Sequence, residues 1–323
     1  MSLKIGYFGS PSLSARLLSE LLDSAIQIEF VVTNEDKPRG RSKTPFPTEV
    51  AELAQKKGIP LFRFPSLKPE EVERELKKYP CELYFIFAYG KLLPKNIFTI
   101  PPFGTVNLHA SLLPKLRGAS PFQSAILGGF KTTGWTLQLI TEELDAGDVL
   151  HSKEIPIDPD ESSGELALSM LPSAVEICRE VLNDFNCYYQ KRKKQNHEEA
   201  TYCKKIKTEM TIINWNQPAV EIHNQIRAFN PSPVARSIFR NKVILIYKSR
   251  PVIHDRESAI EKQLINAPPG STLVFSEGKQ RRLFVNTSKG ILELLQLQPE
   301  NKKIMDSLSF INGYRLEEGE YFG

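Results

Sequence analysis

Short apolar runs alternate with segments of helical spacing through the first third of the chain, and this alternation constrains the fold more than any other feature. Lys4 to Phe8, Ile28 to Val32, Leu83 to Phe87 and Thr105 to Leu108 have the composition of buried strands. Between them, Ser12 to Leu22 sets Leu13, Leu17, Leu18, Leu21 and Leu22 on one side of a helix, and Val50 to Lys57 and Pro69 to Lys78 also read as helices. Strand and helix in alternation predict an α/β domain, a doubly wound and mostly parallel sheet covered on both faces. The turn Phe8-Gly9-Ser10-Pro11-Ser12 lacks GxGxxG spacing, so it predicts a helix start and not a nicotinamide site.

The texture changes further along. Lys242 to Tyr247, Thr272 to Phe275, Arg282 to Val285 and Gly290 to Leu297 are strand candidates, divided by Pro268-Pro269-Gly270 and Ser288-Lys289-Gly290. Ala219 to Ala228 predicts a helix leading into them. The expected organisation is residues 1–187 as the α/β domain, 188–207 as a basic linker and 208–323 as a small β domain. With 323 residues and 41% hydrophobic content, the chain can bury two cores. The linker carries seven basic residues against two acidic ones, while the whole chain carries only +4. Such a run is ordinarily a solvated segment; beside a site it would offer phosphate contacts to a nucleic acid. Arg250 to Gln263 is a long polar loop with no assigned role.

Four cysteines, Cys81, Cys178, Cys187 and Cys203, form no CxxC or Cys/His cluster, so no metal site and no disulfide scaffold is expected. The amino-terminal segment has no signal-peptide pattern, and no stretch approaches a membrane span. Both point to the cytoplasm. A monomer is expected, since no amphipathic face is evidently left over.

Asn107 and His109 stand two apart at the end of the Thr105 apolar run, which puts an amide and an imidazole on one face of a strand. Asp145, in Leu144-Asp145-Ala146-Gly147-Asp148 after the apolar stretch Trp135 to Ile140, is the candidate carboxylate partner. Taken alone, the pair also fits a capped turn with a satisfied histidine, and Asp145 an ordinary turn residue. The strand end where Asn107 and His109 sit is also where open α/β sheets collect ligands.

The order of segments along nearly the whole chain resembles one family. Ile5-Gly6-Tyr7-Phe8-Gly9-Ser10-Pro11, Phe87-Ala88-Tyr89-Gly90-Lys91-Leu92-Leu93-Pro94, Asn107-Leu108-His109-Ala110-Ser111-Leu112-Leu113-Pro114, Lys115-Leu116-Arg117-Gly118-Ala119-Ser120-Pro121 and Leu144-Asp145-Ala146-Gly147-Asp148 are similar to the folate-dependent formyltransferases. Downstream, Thr201-Tyr202-Cys203-Lys204-Lys205-Ile206, Ile213-Asn214-Trp215, Arg227-Ala228-Phe229-Asn230-Pro231 and Leu297-Gln298-Pro299 resemble the methionyl-tRNA formyltransferases within that group. The resemblance implies a Rossmann-like catalytic domain followed by an OB-like β-barrel. It also implies 10-formyltetrahydrofolate as formyl donor, initiator methionyl-tRNA as acceptor, and no metal.

It further implies roles. Asn107 and His109 would donate hydrogen bonds to the oxyanion that develops on the formyl oxygen, and His109 would also move a proton. Asp145 would hold the imidazole or a proton-shuttling water. The folate pocket would be walled by Phe87, Ala88, Tyr89, Gly90 and Leu92, by Ser111, Leu112, Leu113 and Pro114, and by Ile140 and Gly147. The basic loop Asp36 to Pro45 would enter the acceptor stem, with Arg41 aligned to an arginine important there and Arg39 and Lys43 on phosphates. Lys191, Arg192, Lys193, Lys204 and Lys205 would add further phosphate contacts.

Three positions depart from the family pattern: Leu116 replaces an aromatic, Ser120 an alanine and Ser124 a basic residue. None belongs to the Asn/His/Asp set. Two other functions fit parts of the pattern. A sugar-nucleotide N-formyltransferase would use the same three residues on an amino sugar, and a catalytically silent RNA-binding module would bind tRNA without turning over folate.

Overall fold

The structure, a computed structural model, describes residues 3–24, 26–38, 44–252, 260, 263–264, 267–278, 280–317 and 319–323. They form two compact units. The first comprises residues 1–121, 132–156 and 167–204; the second comprises 122–131, 157–166 and 205–323. The segment expected as a linker is therefore divided, and its residues up to Lys204 pack with the first unit.

In the first unit the strands are β1 (Lys4–Gly9), β2 (Gln27–Val32), the short β3 (Lys37–Pro38) and β4 (Pro45–Phe46), β5 (Leu61–Phe62), β6 (Leu83–Phe87), β7 (Thr105–His109), β8 (Arg117–Gly118), β9 (Thr132–Leu139), β10 (Val149–Pro156) and β11 (Tyr202–Cys203). Seven of them make one sheet in the order β10-β9-β7-β6-β1-β2-β5. From β7 through β5 every neighbour is parallel, as the strand and helix alternation predicts. Beyond β7 the direction reverses, because β9 and β10 form an antiparallel hairpin. No helix is needed to join antiparallel neighbours, so the nine-residue connection 140–148 is free to carry side chains.

Helix α1 (Ser12–Leu22) buries Leu17, Leu18 and Leu21, as its leucine spacing dictates. Helix α2 (Glu49–Lys56) starts at Thr48, whose hydroxyl caps the Ala51 N–H. Tyr84, Phe30, Phe8 and Tyr89 build an aromatic core, with Phe8 and Phe30 edge to face at 5.9 Å. Gly6 is required there, since a Cβ would lie 2.4 Å from the Phe30 ring.

The second unit contains α3 (Ala219–Ala228) and strands β12 (Ala235–Phe239), β13 (Lys242–Pro251), β14 (Thr272–Glu277), β15 (Gln280–Asn286), β16 (Ile291–Pro299) and β17 (Met305–Asp306). All pair antiparallel in the order β12-β13-β16-β15-β14, with β17 on β16. Residues 320–323 hydrogen-bond to β12 through Ile238 and to the start of β14 through Gly270 and Thr272, linking the sheet's two edges. Arg227 of α3, in the Arg-Ala-Phe-Asn-Pro stretch, donates to the Asp158 and Glu161 carbonyls and to Asn224, which pins 157–166 onto this unit.

Candidate active site

Strand β7 places the catalytic candidates. It lies between parallel β6 and antiparallel β9, in a register that sets Asn107 beside Gln138 and His109 beside Thr136. Residues two apart share a face, so Asn107 and His109 project from the same side of the sheet. Asp145 comes from the 140–148 connection, with its backbone in the left-handed region (φ 51°).

The Asp145 carboxylate reaches that face. Its Oδ2 lies 3.7 Å from His109 Nδ1 and accepts the Gly118 N–H at 2.8 Å; its Oδ1 accepts Gln138 Nε2 at 2.8 Å. His109 and Asp145 are buried, with 6% and 8% of their surface exposed, so the electrostatic attraction of a protonated imidazole to this carboxylate is poorly screened by water. His109 Nε2 is 2.9 Å from the Leu116 carbonyl oxygen. A carbonyl only accepts, so the Nε2 atom carries the proton in this arrangement. The same oxygen accepts the Cys203 thiol at 3.3 Å. Asn107 is half-buried, and its amide has no hydrogen-bond partner among the described residues. It is free to donate to a ligand.

A buried polar network that the sequence does not reveal supports the carboxylate. Gln138 is fully buried. Gln195, also buried, donates from Nε2 to the carbonyl oxygens of Asp145 (2.9 Å) and Gly147 (2.8 Å) and to Gln138 Oε1 (3.2 Å). Gln195 Oε1 accepts Nε and Nη2 of Arg117 at 3.2 and 2.8 Å. Arg117 has no exposed surface, and its Nη1 reaches Glu143 at 3.4 Å. One signal was available: Gln138 is a lone polar residue with a large side chain inside an apolar strand, and such a group must find buried partners. Gln195 lies 78 residues from Arg117 and 50 from Asp145, beyond any local pattern.

Two family models match the chain, "Formyl transferase" over residues 3–182 and "Formyl transferase, C-terminal domain" over 205–315. The methionyl-tRNA formyltransferase of Leptospira interrogans is 41% identical over 326 residues, covering 99% of this chain and all of that protein. The chain belongs to the methionyl-tRNA formyltransferases. The enzyme of that name from Dictyoglomus turgidum is 37% identical over 321 residues, covering 99% of both. The fold is shared more widely. The crystal structure of WlaRD, a sugar 3N-formyl transferase in the presence of dTDP and 5-N-formyl-THF, has a TM-score of 0.63 at 19% identity, covering 94% of this chain and 100% of that one.

In this formyltransferase the residues proposed for folate divide by exposure. Ala88 (φ 53°) and Gly90 (φ 80°) form an exposed left-handed turn at the end of β6, and Leu92 is 81% exposed. Phe87 is buried edge to face on Trp135. The Tyr89 ring belongs to the aromatic core and burial pushes its hydroxyl pKa up to about 12, so this residue can offer a ligand only its backbone. The Tyr89 carbonyl already accepts Asn34 Nδ2 at 2.8 Å. Ser111 is buried, donating to the Lys115 carbonyl while its own carbonyl accepts Thr136 Oγ1. Leu112 packs where a side chain on Gly134 would lie, and Leu113 and Pro114, joined by a cis peptide bond, are half-buried. Ile140 packs on the aromatic core. Gly147 presses against Leu139, with room for no Cβ. An exposed turn and half-buried apolar groups are the kinds of surface that suit a flat ring wanting backbone hydrogen bonds and apolar contact.

The RNA candidates are less uniform. Arg39, Arg41 and Lys43 lie outside the described residues. Lys191 is exposed, whereas Arg192 pairs with Asp148 at 3.3 Å and lies over the Tyr189 ring. The Lys193 backbone bridges Val149 in both directions. Lys204 is exposed at the end of the first unit, and Lys205, likewise exposed, starts the last stretch of the second. Among the described residues no group of His, Cys, Asp and Glu could hold a metal ion, and no helix is long and apolar enough to cross a membrane.

Proposed function

We propose that the chain transfers the formyl group of 10-formyltetrahydrofolate to the amino group of methionyl initiator tRNA. The observation that carries this reading is the convergence of Asn107, His109 and Asp145 on one face of β7, in a chain similar over its full length to methionyl-tRNA formyltransferases. The folate supplies an electrophilic formyl carbon when bound. As the methionyl amine attacks it, a C–N bond forms and negative charge builds on the formyl oxygen. The unpartnered Asn107 amide is a donor suited to that charge, and the His109 Nε2 N–H becomes a second when it exchanges the Leu116 carbonyl for the formyl oxygen. Asp145 stabilises the imidazolium. The proton lost by the amine is carried through His109 to the departing folate nitrogen as its bond to the formyl carbon breaks. The exposed basic residues Lys191, Lys204 and Lys205, with Arg39, Arg41 and Lys43, hold the RNA through phosphates, and the chain works as a cytoplasmic monomer.

The test is incubation with 10-formyltetrahydrofolate and either initiator or elongator methionyl-tRNA, following formyl-methionine. Formylation of the initiator alone is expected. No formylation of either, with formylation of an amino-sugar nucleotide instead, refutes the acceptor assignment.

A further inference from the structure

Gln195 occupies an unusual place. It is a buried residue on the basic segment, far in sequence from the Asp145 turn, yet its single NH₂ group closes on the carbonyls at both ends of that turn, Asp145 and Gly147. The segment carrying it is itself anchored, since Lys193 pairs with Val149 in both directions at 2.8 and 2.9 Å. On its other side the Gln195 oxygen faces the fully buried Arg117 guanidinium, which polarises the amide and strengthens its donors. Gln138 fixes the carboxylate of the same residue whose backbone Gln195 holds. Two glutamines thus constrain Asp145 by two routes, one at the side chain and one at the main chain.

We propose that Gln195 is a positioning residue for Asp145: it sets the 145–147 turn so that the carboxylate meets His109, and it acts on the chemical step and not on binding. The proposal rests on the formyl-transfer reading above. It follows from geometry that Gln195→Met keeps the bulk, removes both donors, and leaves a left-handed Asp145 with one restraint fewer. Displacement of a reacting or orienting group by about 1 Å can cost on the order of 100-fold in rate.

The experiment measures kcat and KM for both substrates in wild type, Gln195→Met, Gln138→Met and the double variant, with thermal unfolding and folate binding recorded on each. The expected result is a fall in kcat of about 10- to 100-fold for Gln195→Met, with both KM values within about 2-fold of wild type. Because both glutamines act through one carboxylate, the double variant should fall little below the worse single one. Unchanged kcat in Gln195→Met overturns the proposal. So does multiplication of the two effects, or a loss of kcat that only tracks unfolding and lost folate affinity. If the Gln195→Met protein does not fold, Gln195→Asn, which keeps the amide but withdraws it by one methylene, replaces it under the same criteria. Failure of wild type to formylate methionyl-tRNA would count against the proposed function alone, and the comparison would then be made on the acceptor that wild type does formylate.

Discussion

Substituting Gly147 by alanine should damage catalysis by displacing the Asp145 turn. A Cβ at this position would stand 1.9 Å from the Leu139 carbonyl oxygen and 2.8 Å from its carbon. Non-bonded contact of this kind begins near 3 Å, so the two segments must part by about 1 Å. Leu139 is the end of β9, paired with Val106 of β7 and bonded through its N–H to the Asp148 carbonyl, so the strand resists. The turn moves instead, and Asp145 stands two residues away. Overpacking of this size costs about 1–3 kcal/mol of stability, and a shift of about 1 Å at an orienting carboxylate costs on the order of 100-fold in kcat, or about 2.7 kcal/mol of barrier. The assay is steady-state formylation beside thermal unfolding of the same preparation. A Gly147→Ala protein that is folded and has wild-type kcat would refute the argument, because it would show that the Asp145 turn need not be tightly placed.

Asp145→Asn, which keeps the shape and removes the charge, should lower kcat by at least about 100-fold while KM values change little; loss of affinity at unchanged turnover would contradict the role. Glu293 gives a pH prediction. Burial alone would raise its pKa, but hydrogen bonds from Arg282 and Arg250, each at 2.6 Å, outweigh this and hold the carboxyl below its ordinary value. The unfolded chain therefore takes up the proton first on acidification. The associated stability is complete above about pH 4.3 and is lost as pH falls through the lower folded-state pKa. Melting temperature followed against pH should show this acid-dependent loss in wild type and a weaker one in Glu293→Gln. Replacing Lys191 and Lys204 together by alanine should weaken tRNA binding and flatten its log–log salt dependence by roughly 0.7 to 0.9 per lost phosphate contact, with folate binding unaltered.

Much of the architecture is legible in the sequence where periodicity is strong and local. Ser12 to Leu22, Leu83 to Phe87 and Ala219 to Ala228 are elements with the expected bounds. The antiparallel turn of the sheet at β9 and β10 was not legible, since a buried strand does not announce its direction. Tyr89 was expected along the folate pocket, but a strand-end motif gives no information on which side chains turn back into the core. Strand spacing marks Asn107 and His109 as a pair with Asp145 as candidate partner, family resemblance supplies their roles, and the approach of Asp145 to His109 is a finding of the structure. The link of Gln195 to Arg117 and to the Asp145 turn is not legible, because a hydrogen bond between residues tens of positions apart leaves no mark on spacing, whereas Gln138 carries a local signal as a lone large polar side chain in an apolar strand.

The second unit draws on three separate stretches of chain, 122–131, 157–166 and 205–323, whereas the family model for the carboxy-terminal domain starts only at residue 205. Arg227 and His223 find partners at Asp158, Pro159 and Glu161, residues that a fragment beginning at 205 would leave behind. This unit is therefore not a cassette that recombination could append or exchange by one crossover. A chimera between two relatives that keeps this unit intact must trade all three stretches together.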